Sequence, residues 1–166
     1  ETVRNFDIVH EKIMHFIVVR HDLQYFQHLH PQFNSQTGEF NVDVTFPSGG
    51  PYRLFPDFTP TDENPKKLAV TVSHDVEVGD MKSYKAQEVS ADTQTKKAVN
   101  GNDIQYSFPS SSLKAKEEVT YSLTINRDGS PITDLQPYLG ALGHSVILRE
   151  TNLNFIHTHA IERKDK

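Results

Sequence analysis

One segment of this sequence occurs twice. His15-Phe-Ile-Val-Val-Arg20 aligns with His144-Ser-Val-Ile-Leu-Arg149, and the alignment runs on without a gap to Phe26-Gln-His28-Leu-His30 and Phe155-Ile-His157-Thr-His159. His, Arg, Phe, His and His thus recur at a constant offset of 129, and the positions between them keep their apolar character, Ile17 with Val146 and Val19 with Leu148. Such a repeat marks one supersecondary unit used twice, so the fold must accommodate two copies of it. Each copy reads as a β-hairpin. With a loop at Arg20 to Leu23, His15 stands opposite His28 and Ile17 opposite Phe26; the second copy then sets His144 opposite His157 and Val146 opposite Phe155. Neither loop holds Asn-Gly, so a two-residue tight turn is not signalled.

Opposed side chains on a hairpin have Cβ atoms about 4.5 to 5.5 Å apart, and residues two apart along a strand share a face. Three imidazoles therefore converge on one face of each hairpin. That face also carries Ile17, Val19 and Phe26 in the first copy and Val146, Leu148 and Phe155 in the second. Imidazoles at the edge of an apolar patch are desolvated and held neutral, the form that a metal requires. Neutral imidazole suits copper and zinc, and a His-only set with no carboxylate or thiolate points away from calcium and magnesium. The predicted ligands are His15, His28 and His30, with a second set at His144, His157 and His159. The competing reading makes each set a polar cluster that pins its hairpin through hydrogen bonds.

Neighbours of the first copy extend the set. His10 has no histidine counterpart, since Leu139 occupies the matching position, and any ligand role it has belongs to copy one. Met14 offers a thioether that would favour Cu(I), although a regular strand points it away from His15. His21, in the loop, and His74, in a separate strand, read as solvated or structural. Arg20 and Arg149 end their strands on the face away from the imidazoles as ion-pairing charges.

The rest of the chain alternates with a period of two between turn residues and has almost no helical spacing, which makes the class all-β. Strands are expected near Lys12 to Arg20, Gln24 to His30, Glu39 to Phe46, Tyr52 to Phe58, Lys67 to Glu77, Ala86 to Thr93, Asp103 to Phe108, Glu117 to Ile125, His144 to Arg149 and Asn154 to Ala160. Turn chemistry separates them at Ser35-Gln36-Thr37-Gly38, Pro47-Ser48-Gly49-Gly50, Asn100-Gly101-Asn102 and Asp128-Gly129. Ten antiparallel strands at this spacing suggest a sandwich. A first β half spans 1–78, a polar linker or edge strand 79–102, and a second β half 103–166. Copy one has closing strands from Glu39 to Glu77, and copy two has opening strands from Asp103 to Ile125. The halves are expected to complete each other, either in one compact unit or by strand exchange in a homodimer.

Composition narrows the chemistry. The 166 residues contain nine His and no Cys, which removes disulfides, thiolate metal sites, iron–sulfur clusters and a cysteine nucleophile. The net charge of -5 disfavours nucleic acid or an anionic membrane as the main partner. No run of eighteen apolar residues is present to span a membrane as a helix. The start at Glu1, without a charged and apolar leader, reads as a mature or trimmed chain. No Gly-x-Ser-x-Gly elbow, phosphate-cradling loop or His-Glu-x-x-His helix supports acyl or phosphoryl chemistry.

The segments His10-Glu-Lys-Ile-Met-His15, Asp22-Leu23, Phe26-Gln-His28-Leu-His30-Pro31 and Tyr52-Arg-Leu-Phe-Pro-Asp57-Phe58 resemble a family of bacterial extracytoplasmic domains, as does Gly129-Ser-Pro-Ile-Thr-Asp134-Leu-Gln-Pro-Tyr138-Leu-Gly-Ala-Leu-Gly-His144 with Phe155-Ile-His157-Thr-His159. The resemblance covers about half the chain. It implies an immunoglobulin-like or cupredoxin-like β-sandwich that accompanies heavy-metal, especially copper, handling. A Met common before the Gly-His of the second segment is Leu142 here, which removes a thioether from that copy. The expectation is an extracytoplasmic (periplasmic, secreted or surface-anchored) protein that sequesters copper, or zinc in its place, or delivers it to a metal-transport or metal-acceptor protein. Two alternatives stand beside it. One is a metalloenzyme using the open position of a His₃ ion, with Glu11 as base; the other is a metal-free structural or adhesion module.

Overall fold

A computed structural model describes residues 3–61, 66, 68–109, 112–156 and 158. Among them there is no helix, and every strand pairing is antiparallel. The strands are β1 (Met14–Arg20), β2 (Phe26–Leu29), β3 (Gln32–Asn34), β4 (Glu39–Asn41), β5 (Gly50–Phe58), β6 (Val70–Thr71), β7 (His74–Val78), β8 (Lys96–Val99), β9 (Asn102–Ser107), β10 (Ser122–Arg127), β11 (Ser130–Pro131), β12 (Ile147–Leu148) and β13 (Phe155–Ile156). The chain divides into two compact units, one of Glu1–Val89 with Pro137–Lys166 and one of Ser90–Gln136. Both hairpins of the repeat fall in the first unit. The sequence division kept all of 103–166 together, whereas here the segment before Pro137 clusters separately.

In the smaller unit, β8 to β11 form one sheet in the order β11-β10-β9-β8. Its edge strand β8 is exposed along its whole length and carries Lys96 and Lys97, charges that discourage further pairing. In the larger unit, a five-stranded sheet runs β2-β1-β5-β6, with β7 also paired to β5. The expected strand at Lys67 to Glu77 is broken into β6 and β7. No strand forms at Ala86 to Thr93, whose side chains are all exposed. Its apolar residues, Ala86, Val89 and Ala91, do not fall on one face, and the Gln87 main-chain amide is spent on the Asp22 carboxylate at 3.3 Å.

The first hairpin has a register two residues away from the expected one. Ile17 faces His28 and Val19 faces Phe26, not Ile17 with Phe26. The reason lies in the loop, which keeps four residues but sits one position later, at His21 to Gln24: the Arg20 amide donates to the Tyr25 carbonyl at 3.0 Å and the Leu23 amide to the Arg20 carbonyl at 2.8 Å. Asp22, only 6% exposed, fills this loop from within. Its carboxylate accepts from Arg20 Nε at 2.7 Å and the Gln24 amide at 3.2 Å. Burial alone would push that carboxyl up, but Arg20 and the Gln24 and Gln87 amides hold it below the usual range. The second hairpin makes the same two-residue correction, with Leu148 rather than Val146 opposite Phe155, and closes on an Arg149 amide to Asn154 carbonyl bond of 3.0 Å. A slip of one residue would have turned every side chain to the other face; a slip of two leaves the imidazole face intact.

The second hairpin covers the apolar face of the first. Ile17, Val19, Phe55 and Leu153 are buried together, with Leu23, Val146, Leu148 and Phe155 packed around them. Burying each such side chain contributes roughly 1.5 to 3 kcal/mol. Arg53 on β5 pins the covering loop, donating from one guanidinium nitrogen to the Asn152 carbonyl at 2.6 Å while Nε meets Asp75 at 2.6 Å. The Arg53 hydrogen bond holds the Asp75 carboxyl well below its ordinary range. Packing of the two copies of the repeat against each other therefore decides what lies at their shared rim.

Candidate metal centre

Two tight turns set the site up. The amide and carbonyl of Val9 exchange hydrogen bonds with those of Lys12 at 2.9 and 3.1 Å, and φ is positive at both residues between them, +48° at His10 and +63° at Glu11. Tyr138 and Ala141 do the same at 2.9 and 3.2 Å, with φ of +50° at Leu139 and +71° at Gly140. Both have the form of primed hairpin turns, which favour Gly, Asn or Asp, yet His10, Glu11 and Leu139 occupy such positions here. Non-glycine residues held in this region mark places where the surrounding structure imposes the conformation. The turns occupy equivalent positions of the repeat and lie close together: a Cβ added at Gly140 would come within 3.7 Å of a Glu11 carboxylate oxygen.

Each turn aims a carbonyl at the histidine three residues beyond its last residue, His15 or His144. His15 Nε2 lies 3.0 Å from the Val9 carbonyl and His144 Nε2 lies 2.7 Å from the Tyr138 carbonyl. A carbonyl only accepts, so Nε2 carries a proton in both rings, and in the neutral form of either ring Nδ1 is the nitrogen with the lone pair. This is the arrangement by which an outer hydrogen bond fixes the tautomer of a metal-ligating histidine.

Around His15 Nδ1 the other two imidazoles of the first copy converge. His28 Nε2 lies 3.0 Å from it, and one nitrogen from each of His15, His28 and His30 falls within 4.8 Å of the others. The ring centroids are 5.2 Å apart for His15 and His28, 5.1 Å for His15 and His30, and 4.7 Å for His28 and His30. Burial, reinforced by the His30, His15 and His144 rings, pushes His28 down to about 4. Burial and the nearby His15, Lys12 and His144 lower His30 as well. Both are therefore neutral at physiological pH. His30 Nε2 is buried without a hydrogen-bond partner, the one such side-chain atom among the described residues. An unsatisfied buried nitrogen costs roughly 1 to 3 kcal/mol, and a cation bound among the three rings would supply its partner.

The remaining sequence-predicted residues divide. His10 stands 6.2 Å from His15 and 5.1 Å from His144, and His144 stands 6.4 Å from His28, centroid to centroid. Five imidazoles from both copies of the repeat thus form one cluster. His157 and His159 lie outside the described residues. Met14 is buried, one position before His15 and on the opposite face of β1. His21 is elsewhere, with Nε2 3.0 Å from Asp75, and His74 is exposed on β7. Sequence reasoning missed the two carbonyl pins and the turns that carry them; Gly140 is the one turn residue that signals either.

No curated protein and no solved structure matches the chain. One family model matches, over residues 1–80 and 97–166, a range that takes in both hairpins and all five clustered imidazoles. On that match the chain belongs to the family described as Domain of unknown function (DUF8832).

Proposed function

We propose that this protein binds copper, with zinc as the alternative ion, through His15, His28 and His30, and that it sequesters the metal outside the cytoplasm or passes it to a metal-transport or metal-acceptor protein. The observation that carries the reading is the triad: three imidazole nitrogens within 4.8 Å, one of them buried with no partner. The lowered proton affinity of His28 and His30 supports it, because a metal competes poorly for a protonated ring. A set of nitrogens alone favours copper over the other divalent first-row ions, with zinc next in availability of suitable geometry. The extracytoplasmic placement and the delivery role rest on the resemblance of the histidine-bearing segments.

Titration of the purified, tag-free protein with copper and zinc tests the reading. A ligand at a hundred times its dissociation constant stabilises the folded state by about 2.7 kcal/mol, which raises the melting temperature measurably. Stoichiometric copper binding that is lost in His28→Ala with His30→Ala is the expected result. A protein that ignores both metals, or binds them equally well without those histidines, overturns it and leaves the imidazoles as hairpin-pinning groups.

A further inference from the structure

We propose that the cluster holds two metal ions, the second between His10 and His144, so that the two copies of the repeat jointly build a paired centre. The inference rests on the metal-binding reading above and adds a site to it. An imidazole nitrogen about 2.0 to 2.1 Å from an ion puts the ring centroid about 3.2 Å away, so two rings on one tetrahedral ion have centroids about 5.2 Å apart. The three pairs within the triad, at 4.7 to 5.2 Å, meet this condition. One further pair in the cluster meets it as well. His10 and His144 are 5.1 Å apart with ring planes at 84°, close to the 5.1 Å and 83° of His15 and His30. The contacts that join the pair to the triad are longer, 6.2 Å from His10 to His15 and 6.4 Å from His144 to His28, beyond the tetrahedral spacing and reached on one shared ion only by rings on opposite sides of it.

The tautomer agrees. The Tyr138 carbonyl takes the Nε2 proton of His144, which leaves Nδ1 as its donor, as Val9 does for His15. The matching turns bring His10 and His144 together from equivalent ends of the two copies, and positive φ at His10 holds that residue in its turn. Ions on the pair and on the triad would sit no more than about 13 Å apart, the longest bridging centroid distance plus two ring-to-metal lengths of about 3.2 Å.

The test is copper stoichiometry together with pulsed EPR of the Cu(II)-loaded protein. His10→Asn keeps a residue that tolerates positive φ, and His144→Gln keeps an amide donor for the Tyr138 carbonyl; melting temperatures of the apo variants check that they fold. The wild type is expected to take two copper ions per chain with a dipolar coupling between them, and each variant to take one, uncoupled, on the triad. One ion in the wild type, or two coupled ions retained in both variants, overturns the proposal while leaving the triad in place. Loss of the second ion in His157→Ala with His159→Ala, but not in His10→Asn, also overturns it, since the second hairpin would then be holding that ion by itself. Failure of the parent reading looks different: the wild type then binds no copper, or His28→Ala with His30→Ala leaves its copper unchanged.

Discussion

The two hairpins share a register, a closing bond and a pinned histidine, but they stand in different surroundings. In the first, β1 is seven residues long and is laddered on both sides, to β2 and along its whole length to β5. In the second, β12 and β13 pair over two residues each among the described residues, and β12 has no other strand beside it there. The second copy is held instead by side chains: Leu153 buried in the core, Phe155 5.8 Å from Phe55, and the Arg53 bond to the Asn152 carbonyl. Its strands are further tied by Ser145 Oγ and Thr158 Oγ1 at 3.0 Å. The same hairpin geometry thus survives with or without a sheet around it, provided that the loop closure and one apolar face are kept.

The difference is open to attack. The largest effect is expected from the core the copies share: Ile17→Ala and Leu153→Ala each remove a side chain 2 to 3% exposed and should each cost about 2 to 5 kcal/mol in denaturant unfolding. Equal losses would mean that the second hairpin is as integral to the fold as the first. A loss at Ile17 with none at Leu153 would mean that the covering hairpin is dispensable.

Next comes the metal. His30→Ala should weaken copper binding about 100-fold, roughly 2.7 kcal/mol, in a competition titration. His144→Gln should leave the tightest copper affinity within a few-fold, because that ring belongs to the other copy.

Acid should act through the first copy. The folded protein holds His28 down to about 4, while the unfolded chain titrates near the ordinary value of 6.5. Between these values the unfolded state binds the extra proton, so apo-protein stability falls as pH drops from about 6.5 to 4 and is fully retained above that window. His28→Asn should flatten this part of the pH dependence of the melting temperature, whereas His144→Gln should flatten it less.

The smallest effects concern the two turns. Gly140→Ala puts a side chain at φ of +71° and should cost about 1 kcal/mol. Glu11→Gly, at +63°, relieves the same strain but adds chain entropy to the unfolded state, so thermal melting should change by less than half as much.

Much of this was legible before any coordinates. Alternation gave the class, and the offset of 129 gave two hairpins with His15, His28 and His30 on one face. The register escaped because it is set by where each loop closes, Arg20 on Tyr25 and Arg149 on Asn154, a choice that alternation does not mark. The expected strand at Ala86 to Thr93 failed because Ala86, Val89 and Ala91 offer no single apolar face to pack, and the whole stretch stays exposed. A repeat states what two units are, while Val146, Leu148 and Leu153 against Ile17 and Val19 decide how they pack. The cluster of His144 with the first-copy rings follows from that packing alone.

The carbonyl pins bear on how such a site is to be found in other chains. Val9 and Tyr138 differ, as do Lys12 and Ala141, and His10 and Leu139, yet the bond to Nε2 is the same. Because the acceptor is main chain, the turn's side chains can differ, as they do between the two copies, without disturbing the ring it orients. Two such turns differ at all four positions while their geometry stands still, so a search by the hydrogen bond between a tight turn and the histidine beyond it will detect kin that a comparison of letters passes over.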